Sequence, residues 1–179
     1  MILKGKKVVL RSVKLDDAPR FVKWFNDPEV YQFIMTRGIK LKDEKKWIKQ
    51  KIKTEVKNDL FLCIDTKDGV HIGSIGLHKI NSLYKHASLG ISIGDKEYWD
   101  KGLGTEAAWL IINYGFKKLK LHRVDLDVYS TNPRAIKVYK NLGFKKEGIK
   151  RDHRLWKGKY YDSYMMSTLD REWKALNKK

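Results

Sequence analysis

The stretch HASLGISIGDKEYWDKGLGTEAAWLIIN, His86 to Asn113, reads as a strand, a loop, a glycine turn and a helix. Ala87, Leu89, Ile91 and Ile93 alternate with Ser88, Gly90 and Ser92, the period-two pattern of a half-buried strand. The second face is nearly bare, so another backbone or an extended ligand can come close to it. A loop, Asp95 to Trp99, leads to Lys101-Gly102-Leu103-Gly104-Thr105-Glu106, after which Ala108, Ile112, Gly115 and Leu119 recur at helical spacing. The glycines therefore stand where a helix begins. Unpaired N–H groups and the positive end of the helix dipole favour an anion there, and a phosphate or pyrophosphate fits.

Other readings of the turn exist. Thr105 could cap a surface helix, with the glycines permitting the bend. Gly102, Gly104 and Ala107 also satisfy G-x-G-x-x-A, with Asp125 and Asp127 following at roughly the spacing of a dinucleotide-binding acid. Against that, a loop separates strand from turn, and the chain goes on to a hairpin rather than to further βα units. A phosphate-binding P-loop fails because no GK[ST] follows.

The 179 residues suit a single domain, residues 1 to 179, with a substantial core. The one cysteine, Cys63, lies in the apolar run Leu60 to Ile64; it excludes an internal disulfide and a cysteine metal cluster and reads as a small buried hydrophobe. No metal site is expected. No long apolar span or leader is visible, so no membrane association is expected and the cytoplasm is the default. A formal charge of +18 attracts anions: a polyphosphate cofactor, a nucleic-acid-rich partner such as a ribosome, or an acidic peptide. It tells against free polyamines unless a local acidic pocket reverses the field.

Lys7 to Arg11 reads as a first strand, and Leu15 to Ala18 as the start of a helix carrying Phe21, Trp24 and Phe25, broken at Asn26-Asp27-Pro28. Tyr31 to Met35 reads as irregular, and Asp27 to Arg37 as a mobile wall against a substrate. A second helix, roughly Lys42 to Lys57, carries Trp47, Ile48, Ile52 and Val56 on one stripe. Leu60 to Asp65 and Val70 to Leu77 form a hairpin around Lys67-Asp68-Gly69. Val124, Leu126 and Val128 form a strand that returns through a helix and so runs parallel to its predecessor. Asn132 as N-cap, Pro133 at the first helical position and Gly143 as the closing residue frame a short helix with Ala135, Tyr139 and Leu142 on one face. Phe144 to Leu155 and Tyr160 to Leu169 make a closing hairpin, and a polar tail runs from Asp170.

The order strand, glycine turn, helix, strand, NPRAIKVYKNLGF resembles the GCN5-related N-acetyltransferase (GNAT) superfamily, and within it the RimJ/RimL-type enzymes that acetylate protein N-termini, with polyamine acetyltransferases as close neighbours. The likeness takes in Leu10-Arg11 with Asp17-Ala18, Ile72 to Ile75, Trp99 to Ala107, His122 to Val124, Asn132 to Phe144 and Gly158 to Asp162. It implies an α/β (α+β) fold with a central mixed, mostly antiparallel seven-stranded sheet and flanking helices, and an acetyl-CoA-dependent N-acetyltransferase. The family turn R/Q-x-x-G-x-G/A is matched at Trp99 to Gly104, with tryptophan in place of Arg or Gln. Phosphate binding then falls on backbone N–H groups from Lys101 through Gly102, Leu103 and Gly104 to Thr105, and on the Lys101 ammonium. By the same resemblance the pantetheine arm pairs with Ile91, Ser92 and Ile93, Asn132 holds its acetyl-carrying end, and Ala135 and Tyr139 complete the cofactor site.

The resemblance further implies direct attack of a primary amine on the thioester in a ternary complex, with an oxyanion held by a backbone N–H near Ile93. Tyr139 is the catalytic residue, a general acid toward the departing thiolate. No Glu or Asp lies in Ala87 to Ile93, where some family members carry one, and His78, Asp127 and Glu29 are candidates for the base by type alone, beside a water chain to bulk. The acceptor expected is a protein or peptide N-terminus, ribosomal or other; a spermidine, diamine, aminoglycoside or amino sugar is the alternative. A non-catalytic acyl-CoA-binding or RNA-binding module is the rival from another class. Dimers among relatives suggest a homodimer.

Overall fold

The computed structural model describes residues 1–34, 38–53 and 58–178. β1 (Ile2–Lys4) and β2 (Val8–Ser12) lead through a 3₁₀ turn at Leu15–Asp17 into α1 (Ala18–Phe25), α2 (Pro28–Tyr31) and α3 (Leu41–Lys53). β3 (Leu60–Thr66), β4 (His71–Asn81) and β5 (His86–Ile93) form an antiparallel meander. α4 (Leu103–Lys117) crosses to β6 (Arg123–Tyr129); α5 (Pro133–Asn141), the hairpin of β7 (Lys145–Trp156) and β8 (Lys159–Leu169), and α6 (Asp170–Leu176) follow. All the strands join one sheet in the order β1-β2-β3-β4-β5-β6-β8-β7, in which β5 and β6 are parallel and the other pairs antiparallel.

The mixed sheet with flanking helices is as expected, but among the described residues it has eight strands rather than seven. β1 is three residues long, too short for periodicity to show it. The residues from Asp170 are no polar tail either. Trp173 in α6 is buried, its ring packed 5.9 Å from Phe116 and 6.1 Å from Trp109.

α4 sits at the centre because its sequence is apolar around much of its girth: Leu103, Ala107, Ala108, Ile111, Ile112, Gly115 and Phe116 are buried. Each large side chain so buried contributes about 1.5–3 kcal/mol. Gly115 permits close packing, since a Cβ there would stand 3.1 Å from methyls of both Leu77 and Leu121. On its outer side Glu106 accepts hydrogen bonds from the backbone N–H groups of Lys6, Lys7 and Val8 at 2.8, 2.7 and 2.9 Å. That carboxylate ties the start of β2 to the helix that carries the glycine turn.

The opposite face of β3 and β4 is covered by α1 and α3 through Phe21, Trp24, Ile48 and Cys63. α3 starts where expected; Ile48 is buried, but Ile52 is exposed, and residues 54–57, including Val56, lie outside the described residues. Beneath these helices Arg11 donates two hydrogen bonds to Asp17, each 2.8 Å, and a third to Asp65 at 2.6 Å. Asp17 also accepts from the Lys14 N–H at 2.7 Å and the Cys63 thiol at 3.3 Å, with His71 Nδ1 at 3.3 Å. Burial pushes the Cys63 thiol up, and the charge of Asp17 adds to it. Asp17, Cys63 and His71 are close enough to suggest a metal site, but Arg11 engages both Asp17 oxygens, so the donor set fits an ionic knot instead.

Candidate active site

β5 and β6 pair over a short run, His86 to Ser88 against Arg123 to Asp125. Beyond Ser88 and Asp125 they part, and the space between them opens into a cavity of about 550 Å³. Leu89 to Ile93 form one wall, Asp127 to Tyr129 another, and the glycine turn with the first turn of α4 the floor. β5 thus offers the cavity a strand edge whose ladder with β6 has already ended, which suits an extended arm with its own amides.

At the turn, Gly102 has φ +75° and is the N-cap of α4, in the left-handed region that favours glycine. Thr105 is therefore not the cap; it lies in the first helical turn and lines the cavity. Glu106 N–H closes a helical hydrogen bond to Gly102 O at 3.1 Å. The N–H groups ahead of it, from Leu103 to Thr105, belong to the open end of the helix, where the dipole is positive. Gly104 faces β5, its missing Cβ standing 3.4 Å from Ile93 Cγ1. A pyrophosphate-sized anion fits this cradle of backbone donors without a side chain in its way.

Trp99 has a different task from the Arg or Gln of the family turn. Its indole N–H donates to Ile93 O at 2.8 Å, and the Arg134 guanidinium lies 4.1 Å from the centroid of its ring. Arg134 also donates to Asp100 at 3.3 Å and lines the cavity. So the turn, which has tryptophan where the family has Arg or Gln, has a guanidinium brought to it from α5. Lys101 is the one expected cofactor residue that does not line the cavity; its ammonium lies 5.4 Å from the centroid of the Tyr98 ring. Lys7, far away in sequence, donates to Lys101 O at 3.4 Å.

Asn132, Ala135 and Tyr139 come into the cavity from α5. Asn132 Oδ1 accepts from the Ala135 N–H at 3.1 Å, the N-cap read from the sequence, with Pro133 in the first turn. Tyr139 is 7% exposed, its ring 5.8 Å from Phe144. Burial pushes its phenol up to about 12, above the ordinary value of about 10.

The far end of the cavity is lined by Phe25, Val30, Phe33, Ile34, Phe61 and His78. Of the wall expected over Asp27 to Arg37, Val30, Phe33 and Ile34 are present; Met35 and Arg37 lie outside the described residues. Part of it is more regular than expected: α2 is capped by Asp27 Oδ1, which accepts from the Glu29 N–H at 2.9 Å. His78 Nδ1 lies 2.6 Å from Asp59 Oδ1. Glu29 and Asp27 pair with Lys96 on the surface, and Asp127 with Lys150 at 2.5 Å.

Sequence reasoning missed Arg134, Lys7 and Asp59. For Arg134 the signal was its place just inside α5; for Lys7 there was none. Asp59 could be reached by extending the β3–β4 register, since Leu60 pairs with Leu77. That register, however, passes a bulge at Ile64 and Asp65 which counting from the Lys67-Asp68-Gly69 turn does not supply.

A family model described as an acetyltransferase (GNAT) domain matches residues 7–145. The chain is 31% identical over 172 residues to an "uncharacterized N-acetyltransferase p20" of Bacillus licheniformis, covering 94% of this chain and 96% of that one. It is 35% identical over 111 residues to spermidine N(1)-acetyltransferase of Escherichia coli strain K12, covering 62% and 59%. Among solved structures, spermidine N-acetyltransferase from Vibrio cholerae in complex with CoA and spermine matches with TM-score 0.86 at 21% identity, over 94% of this chain and 99% of that one. That last likeness is one of fold.

Proposed function

Because the chain belongs to the GNAT acetyltransferase family, we propose that it moves the acetyl group of acetyl-CoA onto the free amino terminus of a protein or peptide. Acetyl-CoA-dependent N-acetyl transfer is the activity of the family; the acceptor is our reading. The observation that carries it is the chemistry of the cavity's far end. Phe25, Val30, Phe33, Ile34 and Phe61 make it apolar, and of the carboxylates that line the cavity among the described residues Asp127 is engaged by Lys150, while Asp100 belongs to the glycine turn beside Arg134. A polyamine needs unengaged carboxylates to replace its water, and the +18 chain repels it at long range. An N-terminal residue with an apolar side chain needs neither.

When bound, acetyl-CoA supplies an activated acetyl thioester. We assign its phosphates to the N–H groups of Leu103, Gly104 and Thr105 and to Arg134, and its extended arm to the free edge of β5 at Ile91 to Ile93. Asn132 fixes the start of α5 and so the position of Tyr139. The Tyr139 hydroxyl stays protonated across the working pH range and donates to the sulfur as charge develops there. With its phenol near 12 and a thiol of about 8.5 by analogy with cysteine, the proton crosses only late. Strong early acid catalysis is not what this environment supports.

The test is thiol release from acetyl-CoA against short peptides with free N-termini, N-terminally blocked controls, spermidine, a diamine and an aminoglycoside. Turnover with the free peptides and not the blocked ones is the expected result; turnover confined to spermidine replaces the proposed acceptor with a polyamine. We also propose a cytoplasmic homodimer acting on ribosomal or other protein N-termini. No described helix is long and apolar enough to cross a membrane, and the basic charge suits the neighbourhood of RNA. Light scattering and salt-dependent ribosome cosedimentation check these two points.

A further inference from the structure

Among the described residues the cavity has one imidazole whose far nitrogen is held over glycines. The ring of His78 lies across the antiparallel pair Gly76 and Gly90 of β4 and β5. A Cβ on Gly76 would stand 2.7 Å from its Nε2, and one on Gly90 3.0 Å. The bare face of β5 therefore has a second use: it makes room for a side chain from β4 as well as for a cofactor arm. Nδ1 of the same ring is 2.6 Å from Asp59 Oδ1. A carboxylate can only accept, so Nδ1 carries the proton and Nε2 keeps its lone pair, on a ring that lines the cavity.

We propose that His78 Nε2 takes the proton from the acceptor ammonium, and that Asp59 is the positioning residue which fixes its tautomer. The proposal rests on acetyl transfer, the family activity, and not on which amine is the acceptor. The other candidates by type are otherwise engaged, Asp127 with Lys150 and Glu29 with Lys96. Ser88, the Cα partner of His78 on β5, donates its hydroxyl to Asp125 at 2.9 Å. His153, which also lines the cavity, is exposed, with Nδ1 2.9 Å from Ser163 Oγ and, among the described residues, no carboxylate orienting it.

The charged groups around His78 are Asp59 ahead of β3, Lys51 from α3, which shares that carboxylate, and Lys79 from its own strand. Burial lowers its pKa from the ordinary value, and Lys51 and Lys79 lower it further. The ring is therefore neutral, and ready to accept, at pH 7. The proton balance closes. The ammonium gives one proton to Nε2; the neutral amine forms the C–N bond as the C–S bond breaks; sulfur receives the Tyr139 proton. The second amine proton restores the phenol through water, and the imidazolium returns its proton to bulk, for a net release of one.

Two measurements test this. Long-range ¹H–¹⁵N NMR of the whole chain, with His78 assigned through His78→Gln, reads the tautomer with no acceptor present. The Nδ1–H form is expected, shifting toward Nε2–H in Asp59→Asn; an Nε2–H form in the wild type overturns the proposal. The second is the pH profile of kcat with whichever amine of the panel turns over. His78→Gln should lower kcat about 100-fold or more, with acetyl-CoA affinity unchanged, and move its acid limb up to the pKa of the bound amine. Asp59→Asn should lower kcat about tenfold with KM little changed and the limb displaced. A uniform loss with an unmoved limb, or His78→Gln within twofold of wild type, overturns it. Should no amine in the panel turn over, the acceptor reading fails and the tautomer alone decides; should His78→Gln not fold, Asp59→Asn supplies the profile.

Discussion

His71 and His78 lie on the same strand, each beside an aspartate, and they do different things. His71 is 4% exposed; its Nδ1 is 3.3 Å from Asp17, and its Nε2 lies 3.0 Å from Gly73 O. Phe21 and Trp24 pack edge-on against its ring, and Arg11 closes the other side of Asp17. His78 has a shorter contact with its aspartate, its ring lines the cavity, and its second nitrogen lies over the bare backbone of Gly76 and Gly90. The two are seven residues apart, a spacing that puts side chains on opposite faces of a regular strand. The bulge between β3 and β4 brings both to the side covered by α1 and α3. A His–Asp pair is therefore not in itself a catalytic signature; what the other nitrogen meets decides whether it holds the fold or is available for chemistry.

The comparison breaks most readily at Asp17. Burial alone would raise its carboxyl; the Arg11 guanidinium, with His71 and the Lys14 N–H, overcomes this and holds it well below the usual carboxylate range. Asp17→Ala should cost about 3–5 kcal/mol of unfolding free energy, because it leaves Arg11 buried with half its partners. Urea unfolding measures it. Since the folded pKa is depressed, this contribution is complete above the unfolded value of about 4 and fades as pH falls below it. The gap between wild type and variant should therefore narrow below about pH 4, and a gap independent of pH would show that packing, not charge, holds the knot. Asp59→Asn should show no comparable loss of stability.

A second contrast, smaller in energy, is between a buried group that fills space and one that faces the cavity. Tyr139→Phe removes one oxygen from a side chain that otherwise packs against Phe144. It should lower kcat about 10–100-fold, leave acetyl-CoA affinity within about twofold, and change unfolding by less than about 1 kcal/mol. Unchanged turnover would reduce Tyr139 to a core residue. The larger loss is the less expected one, because a phenol near 12 is a poor acid.

What was legible in the sequence is what rests on local rules. The glycine turn, the Asn132-Pro133 start of α5 and the left-handed Gly143 at its end are fixed by backbone sterics within a few residues, and the structure has them where they were read. The parallel return of β6 followed from the length of the crossover. What escaped depends on contacts across long separations. Glu106 satisfies three N–H groups about a hundred residues away; Arg134 stacks on Trp99; one bulge sets Asp59 opposite His78. α6 reads as a tail because a single tryptophan among charged residues gives no period, although that tryptophan, buried in the structure, is enough to anchor it.

Glu44 sharpens the comparison as a buried carboxyl with neither an arginine nor a histidine beside it. It is 5% exposed in the first turn of α3, and among the described residues its Oε1 has no hydrogen-bond partner. Burial raises its pKa to about 6. The sign is opposite to that of Asp17: stability is complete below the unfolded value of about 4.5 and is lost as pH rises through about 6. Glu44→Gln should gain about 1–2 kcal/mol at pH 8 and nothing at pH 4, by the same urea measurement.

The smallest expected effect concerns Arg134, and shows against Arg11, another arginine that holds aspartates. Arg11 is locked by Asp17 and Asp65 and has no freedom to meet a ligand. Arg134, with a side chain 39% exposed, keeps one longer contact, 3.3 Å to Asp100, and otherwise lies on the flat of Trp99 beside the glycine turn. An anion at the open end of α4 competes with one exposed carboxylate for it, and that exchange costs little. Arg134→Ala should therefore raise the KM for acetyl-CoA about 3–10-fold with kcat nearly unchanged, equivalent to roughly 1 kcal/mol of uniform binding. The effect should shrink in high salt and be smaller for a donor that lacks the nucleotide, such as S-acetylpantetheine. Equal losses for both donors would mean that Arg134 acts only by bracing Trp99, and the phosphates would then rest on the backbone donors from Leu103 to Thr105 alone.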